Sequence, residues 1–114
     1  MTNDINLEVR IRSELAQVEI DEIITLCSKA YYEDYAPFMN SLVDSTHILG
    51  RKNGKLISHA LWITRWLQIG NGPLLRTAYV EGVATDDSCR GSGFATAAMT
   101  RLAAEIREFE IGGL

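Results

Sequence analysis

Cysteine is scarce, cationic residues never cluster, and no apolar run is long enough for a bilayer; each absence removes a class of protein. Cys27 and Cys89 are the only two cysteines. They are too few to staple a secreted mini-fold and are not spaced as a CxxC metal or redox pair. A reducing, cytoplasmic setting is the expectation. The 11 Lys and Arg are scattered among 15 Asp and Glu, for a net charge of -4. Affinity for a phosphate backbone depends on grouped cations, so nucleic acid is not an expected partner. The N-terminal stretch MTNDINLEVRIR is charged and polar, and no segment reaches the roughly 18 apolar residues of a membrane span. Neither a signal peptide nor a membrane partner is expected. Linkers, repeats and low-complexity tracts are missing as well. What remains is 114 residues, 46% of them hydrophobic, enough for a single globular domain over residues 1–114 with a small core.

Apolar periodicity divides the chain into elements. Leu7, Val9 and Ile11 alternate with Glu8 and Arg10, the period of a strand with one buried face. Ser13 or a nearby acidic residue then opens a helix, whose apolar positions are Leu15, Val18, Ile23, Leu26, Cys27 and Ala30. That helix runs out in Tyr31–Tyr35 before Pro37, because the residue preceding proline disfavours helical geometry. Residues 33–46 read as a loop or short helix. Asn53-Gly54 and Asn71-Gly72 each sit between strand formers, the signature of tight hairpins, so three antiparallel strands follow in series. After Ala84 the pattern changes to a helix with Phe94, Ala98, Leu102 and Ile106 four apart. A last apolar run, Phe109–Leu114, reads as the start of another strand. The expected order is β-α-β-β-β-α-β, an α+β domain.

Between the third hairpin strand and the second long helix lies Arg90-Gly91-Ser92-Gly93. A tight glycine loop at a helix N-terminus suits a pyrophosphate. The first helical amides have no internal partners, the peptide dipoles favour an anion, and glycine lets phosphate oxygens approach without a Cβ between. Arg90 would add a cationic donor at the rim. Two glycines that merely join a strand to a helix are an equally open reading of that string. No Gly-Lys-Ser/Thr follows, which excludes a Walker loop, and hairpins rather than βαβ units precede it, which disfavours a dinucleotide fold. Gly82 is a costly residue inside a good strand unless it marks a bulge or a close ligand approach.

The string Arg90-Gly91-Ser92-Gly93-Phe94-Ala95 resembles the acetyl-CoA motif of the GNAT N-acetyltransferase superfamily. Ala78-Tyr79-Val80-Glu81-Gly82-Val83-Ala84-Thr85 is similar to the motif-A strand of its aminoglycoside 2′-N-acetyltransferase branch, and His47 through Arg76 to the preceding hairpins. The resemblance covers roughly residues 7–114. It implies an acyl-CoA N-acyltransferase-like fold with a mixed sheet that parts where acetyl-CoA lies. It also implies that amides around Val83, Ala84 and Thr85 bond the pantetheine arm, and that Arg90, Gly91, Ser92, Gly93, Phe94 and Ala95 hold the diphosphate. Glu81, on the same resemblance, is similar in position to the carboxylate that helps bind or deprotonate the acceptor amine in the aminoglycoside 2′-N-acetyltransferases. The acceptor that the resemblance implies is a small-molecule primary amine, with a polycationic amino sugar as one candidate. Glu33, Asp34 and Asp44, beside Tyr31, Tyr32, Tyr35 and Phe38, fall in the segment that overhangs the acceptor cleft in this superfamily. Asp34 matches best, with Glu33 and Tyr35 as further substrate-binding candidates.

Carboxylates beside aromatic rings suit a cationic sugar; a solvated helix end with tyrosines packed on the sheet is the alternative. His47 and His59 lie far apart in sequence with no further ligand at metal spacing, so no metal is expected. Trp62 and Trp66 read as same-side core or interface aromatics. Members of the superfamily continue through a complete fifth strand, another helix and a terminal hairpin that this sequence does not contain. The expectation is therefore a C-terminally incomplete domain: a fragment, a split gene product, or a homo-oligomer that completes its own sheet. Direct acetyl transfer and a non-catalytic CoA-binding or dimeric scaffold are the two functional readings.

Overall fold

The alternation of Leu7 and Val9 with Glu8 and Arg10 is realised in the computed structural model, which describes residues 5–89, 91 and 93–108, as strand β1 (Asn6–Ile11). Its two faces do different work. Leu7 and Val9 pack into an apolar cluster on one side of the sheet. On the other side Arg10 Nη1 donates to Glu19 Oε2 at 2.9 Å and Glu8 pairs with Arg51, so polar contacts there face helix α1 (Gln17–Tyr31). A single-turn 3₁₀ helix, Arg12–Glu14, separates the two elements and contains Ser13. Ser13 does not open α1. The helix begins four residues later, where the Ala16 N–H donates to Glu19 Oε1 at 2.9 Å, a carboxylate satisfying an otherwise orphaned amide. That start rotates the apolar stripe relative to the expected one. Ile20, Ile23, Leu26 and Cys27 are buried, whereas Val18 is 66% exposed.

Helix α1 ends at Tyr31, with Tyr32 in the left-handed region at φ 57° and the Glu33 N–H donating to the Ser28 carbonyl. Segment 33–46 contains a short helix, α2 (Ala36–Ser41), with Pro37 in its first turn, where a missing N–H costs nothing. Strands β2 (Ser45–Lys52), β3 (Lys55–Gln68) and β4 (Leu74–Thr85) then form a meander, and the sheet order is β1-β2-β3-β4. All pairings among the described residues are antiparallel. Asn53 (φ 53°) and Gly54 (φ 80°) make the first hairpin turn, as the dipeptide requires. In the second connection the left-handed residue is Gly70 (φ 59°) rather than Gly72, whose N–H instead closes the turn on the Ile69 carbonyl.

Helix α3 (Phe94–Glu108) covers the sheet face opposite α1. Ile48, Ala60, Trp62 and Ala78 pack against Ala98, Leu102 and Ile106 on the α3 side. Leu49, Leu56 and Ala84 pack against Ile20, Ile23, Leu26 and Met39 on the α1 side. Ile48 and Leu49 are neighbours in sequence yet serve opposite clusters, the period-two consequence of a strand buried on both faces. Beyond Ile63, which pairs with Ser45 at the start of β2, strand β3 has only β4 beside it. The hairpin therefore projects past the core, and Trp66, Leu67, Ile69, Leu74 and Leu75 are exposed on it. Trp62 and Trp66 share a side of the strand but not an environment: Trp62 is buried and Trp66 is not. Among the described residues the order is β-α-α-β-β-β-α. The strand expected at Phe109–Leu114 lies outside them, as does the pairing that would make the sheet mixed.

Candidate active site

Register decides the geometry of β4. His59 pairs with Ala84 and Leu61 with Glu81, so Gly82 and Val83 together oppose Ala60 alone, a β-bulge at the expected glycine. Gly82 has φ 63°, and a Cβ there would meet Tyr35 Oη at 2.8 Å, Leu61 Cδ2 at 3.1 Å and His59 Cε1 at 3.2 Å. Only glycine satisfies both conditions. Glu81, on the near side of the bulge, accepts the Gly82 N–H at Oε1, 3.0 Å away. On the far side the Val83 carbonyl accepts from Tyr31 Oη at 2.9 Å.

Below the bulge opens a cleft of about 620 Å³. Its walls come from the end of α1 (Ala30, Tyr31), the end of β4 (Val83, Ala84, Thr85) and the start of α3 (Gly91, Gly93, Phe94, Thr96), with Cys89 between. Six residues selected for the cofactor thus converge on one space: Val83, Ala84, Thr85, Gly91, Gly93 and Phe94. Arg90 and Ser92 lie outside the described residues, and Ala95 enters only through its backbone in α3. Among the described residues the first bond of that helix runs from Ala97 N–H to the Gly93 carbonyl at 3.0 Å, and the amides of Phe94, Ala95 and Thr96 lie N-terminal to it at the cleft. Gly91 (φ 84°) and Gly93 (φ 82°) would each direct a Cβ into open space. Thr85 Oγ1 is buried without a hydrogen-bond partner among the described residues. Positive helix end, bare loop and orphaned hydroxyl fit a long ligand carrying phosphate at one end and polar amides along its length.

A second, smaller cavity of about 210 Å³ lies against the same bulge and is lined by Tyr31, Glu33, Tyr35, Phe38 and Glu81. Glu81, Glu33 and Tyr35 of the acceptor-side candidates meet there. Asp34 does not line it: its Oδ1 accepts the Ala36 N–H at 3.0 Å, fixing the entry to α2. Asp44 lines a different cavity, beside Ile11 and Arg12. Tyr35 stacks on Tyr31 with centroids 5.7 Å apart and tilts against Phe38 at 5.2 Å. Its hydroxyl is buried and without a partner among the described residues. Burial, then the negative charges nearby, pushes the Tyr35 phenol up, and burial does the same to Tyr31, so both rings stay neutral. Tyr31 belongs to both walls, a position that its place at a helix end did not disclose.

A model of the acetyltransferase (GNAT) domain matches residues 11–111 of the sequence. The chain belongs to this family. No curated protein matches the sequence, but solved structures share the fold. A conserved Enterococcus faecalis protein, a probable N-acyltransferase, aligns with a TM-score of 0.76 at 16% identity over 93% of this chain and 27% of its own. A predicted acetyltransferase from Clostridium acetobutylicum, solved with acetyl-CoA, gives 0.72 at 17% identity over 95% and 77%. An aminoglycoside 6′-N-acetyltransferase from Acinetobacter haemolyticus gives 0.68 at 13% over 91% and 74%. This GNAT domain thus has the acyl-CoA N-acyltransferase fold, in a family that uses acetyl-CoA. It spans about a quarter of the Enterococcus chain. No helix among the described residues is long and apolar enough to cross a membrane.

His47 and His59, far apart in sequence, are close neighbours in space. They are fully buried, diagonal neighbours on β2 and β3, with His47 Nδ1 and His59 Nε2 2.9 Å apart. Strand pairing, not sequence distance, brings them together. Burial first, then the facing His59 and Arg12, depresses His47 to about 3. Burial depresses His59 to about 4, against an opposing contribution from the Gly82 carbonyl. Both are neutral in the folded GNAT domain at neutral pH. The unfolded chain takes up their protons near 6.5 and the folded one only below about 4. Their contribution to stability is therefore complete above about pH 6.5 and is lost as pH falls from there through about 4. Thermal melts should show the midpoint falling between pH 7 and pH 5; a constant midpoint across that interval would contradict a buried neutral pair.

Proposed function

We propose that this domain is an acetyl-CoA-dependent N-acetyltransferase that transfers the acetyl group directly to a primary amine. The observation that carries the reading is the meeting of two spaces at one bulge. A long cleft with helix-terminal amides lies on one side, and a small cavity lined with aromatic rings and carboxylates lies on the other. Bound acetyl-CoA supplies the activated acyl group as a thioester. The chain's own residues do the rest. Gly91, Gly93 and the amides of residues 94–96 hold the diphosphate, and Val83, Ala84 and Thr85 orient the pantetheine arm. Arg90, Ser92 and Ala95 complete this set on the strength of the sequence motif.

A primary amine is cationic at neutral pH and cannot attack until it loses a proton. Glu81, lining the smaller cavity, is assigned the role of accepting that proton, directly or through water. Glu33 supplies a second carboxylate for an ammonium group, and Tyr31, Tyr35 and Phe38 offer rings for an apolar or sugar face. Those features support a cationic amine as acceptor. Amino sugars of the aminoglycoside kind, in either the 2′ or the 6′ class, belong in the first panel assayed. The exposed apolar hairpin, residues 66–75, is the surface assigned to association between copies.

Calorimetry with acetyl-CoA tests the cofactor half of this reading. Gly93→Leu is expected to weaken binding about tenfold or more by occupying phosphate space. Gly54→Leu is the control, because Gly54 has a comparable φ of 80° in open surroundings at the remote β2–β3 turn. It should lose stability to the same degree and no affinity. Equal affinities in the two variants, or no saturable heat from the wild type at millimolar cofactor, would end the proposal.

A further inference from the structure

A chain of buried hydrogen bonds runs through the sheet to the back of the bulge. Ser45 Oγ lies 2.7 Å from His47 Nε2, His47 Nδ1 lies 2.9 Å from His59 Nε2, and His59 Nδ1 lies 2.7 Å from the Gly82 carbonyl oxygen. Its direction follows from its last member. A carbonyl can only accept, so His59 Nδ1 carries the proton and, in the neutral ring, Nε2 is the acceptor. His47 must therefore donate from Nδ1, which leaves its Nε2 to accept from the Ser45 hydroxyl. Every tautomer is fixed, and each of the three donors points toward the bulge. Cys27 Sγ stands 3.8 Å from the same carbonyl as a second, weaker donor. Burial lifts its thiol to about 12, so it remains a protonated donor.

We propose that His59, oriented by His47 and Ser45, is a positioning residue for acetyl transfer: by gripping the Gly82 carbonyl it holds the Gly82–Val83 peptide and so fixes the backbone of Gly82, which sets the orientation in which the adjoining Glu81 is presented to the acceptor cavity. The proposal rests on the acetyltransferase reading above. Proton relay is not the role, because a carbonyl passes no proton onward. Nor is it ordinary packing. The ladder is interrupted at the bulge, with Gly82 and Val83 opposing one residue of β3, and the side chain of His59 supplies a donor where the regular strand pairing is broken. The rotamer of Glu81 is tied to the other peptide of the same residue, through its bond to the Gly82 N–H.

Two measurements test this. Long-range nitrogen–proton correlation spectra of the wild-type protein at pH 7 should show both histidines neutral and protonated at Nδ1. An Nε2–H tautomer at His59 would overturn the proposal irrespective of activity. In kinetics, His59→Leu should lower kcat about tenfold while the acetyl-CoA dissociation constant moves less than about threefold. His59→Asn, whose amide nitrogen occupies the place of Nδ1, should recover kcat to within about threefold of wild type. Should His59→Leu not fold, His47→Leu leaves the gripping ring in place but unoriented and should still lower kcat about threefold. Equal losses in His59→Leu and His59→Asn, or unchanged kcat in the leucine variants, would reject positioning. A wild type that binds and transfers nothing would reject the reading of the site itself, and this proposal with it.

Discussion

Glu81→Gln is expected to lower the turnover number of acetyl transfer by about 10²-fold or more, with the acetyl-CoA dissociation constant close to wild type. The substitution isolates proton acceptance. A glutamine oxygen can still accept the Gly82 N–H that Glu81 Oε1 receives at 3.0 Å, so the bulge keeps its local bond. The larger cleft, proposed for the cofactor, is bounded by other residues, from Ala30 to Thr96, and does not include Glu81. What the amide cannot do is take a proton from an ammonium group, and positioned bases contribute roughly 10²- to 10⁴-fold. Release of the CoA thiol, followed over a panel of amines, measures the effect, and calorimetry supplies the affinity. Unchanged turnover would remove Glu81 from the mechanism and leave Glu33, the other carboxylate lining the same cavity, as the group to test.

The largest loss of stability is expected from Gly82→Ala. A single methyl group would stand 2.8 Å from Tyr35 Oη, and that ring has no room to yield, being stacked on Tyr31 and tilted against Phe38. Leu61 and His59 close the other sides at 3.1 and 3.2 Å. Backbone strain at a positive φ contributes roughly 1–3 kcal/mol, and overpacking a comparable amount. A combined cost of about 3 kcal/mol corresponds to a melting midpoint lower by roughly 10–20 °C for a domain of this size. Gly54→Ala, at φ 80° with nothing near it, should cost only about 1 kcal/mol. Urea titration of the two variants beside wild type gives both numbers. A midpoint for Gly82→Ala equal to that of Gly54→Ala would show that the close approach of Tyr35 is not a constraint.

Strands β1 to β4, the first hairpin turn, the bulge and the convergence of β4 with the glycine loop on one cleft were legible because each depends on local chemistry: period-two alternation, Asn53-Gly54, a glycine inside a strand, a glycine loop before a helix. Features set by pairing across the sheet were not. His47 and His59 are twelve positions apart, and only the register of β2 on β3 makes them neighbours. Trp66 follows the same alternation as Trp62, yet nothing in its own neighbourhood announces that β2 begins opposite Ile63 and leaves the hairpin uncovered. Val18 was misplaced for a related reason. Apolar spacing over a few residues is satisfied by more than one helix start, and the carboxylate of Glu19, rather than Ser13, decides it. Asp34 carries the right charge near the right rings, but its carboxylate is engaged in a turn to Ala36, and a sequence does not disclose which acid is already bonded.

One ring has a thermodynamic consequence. Tyr31 is a boundary common to the cleft and the smaller cavity, and its hydroxyl is tied to the backbone between them. To whatever degree an occupant of one compartment displaces that phenol, it alters the free energy of filling the other. Reciprocity then obliges the second ligand to return the same factor to the first, so any preference for an order of loading would be written in the torsion of a single side chain.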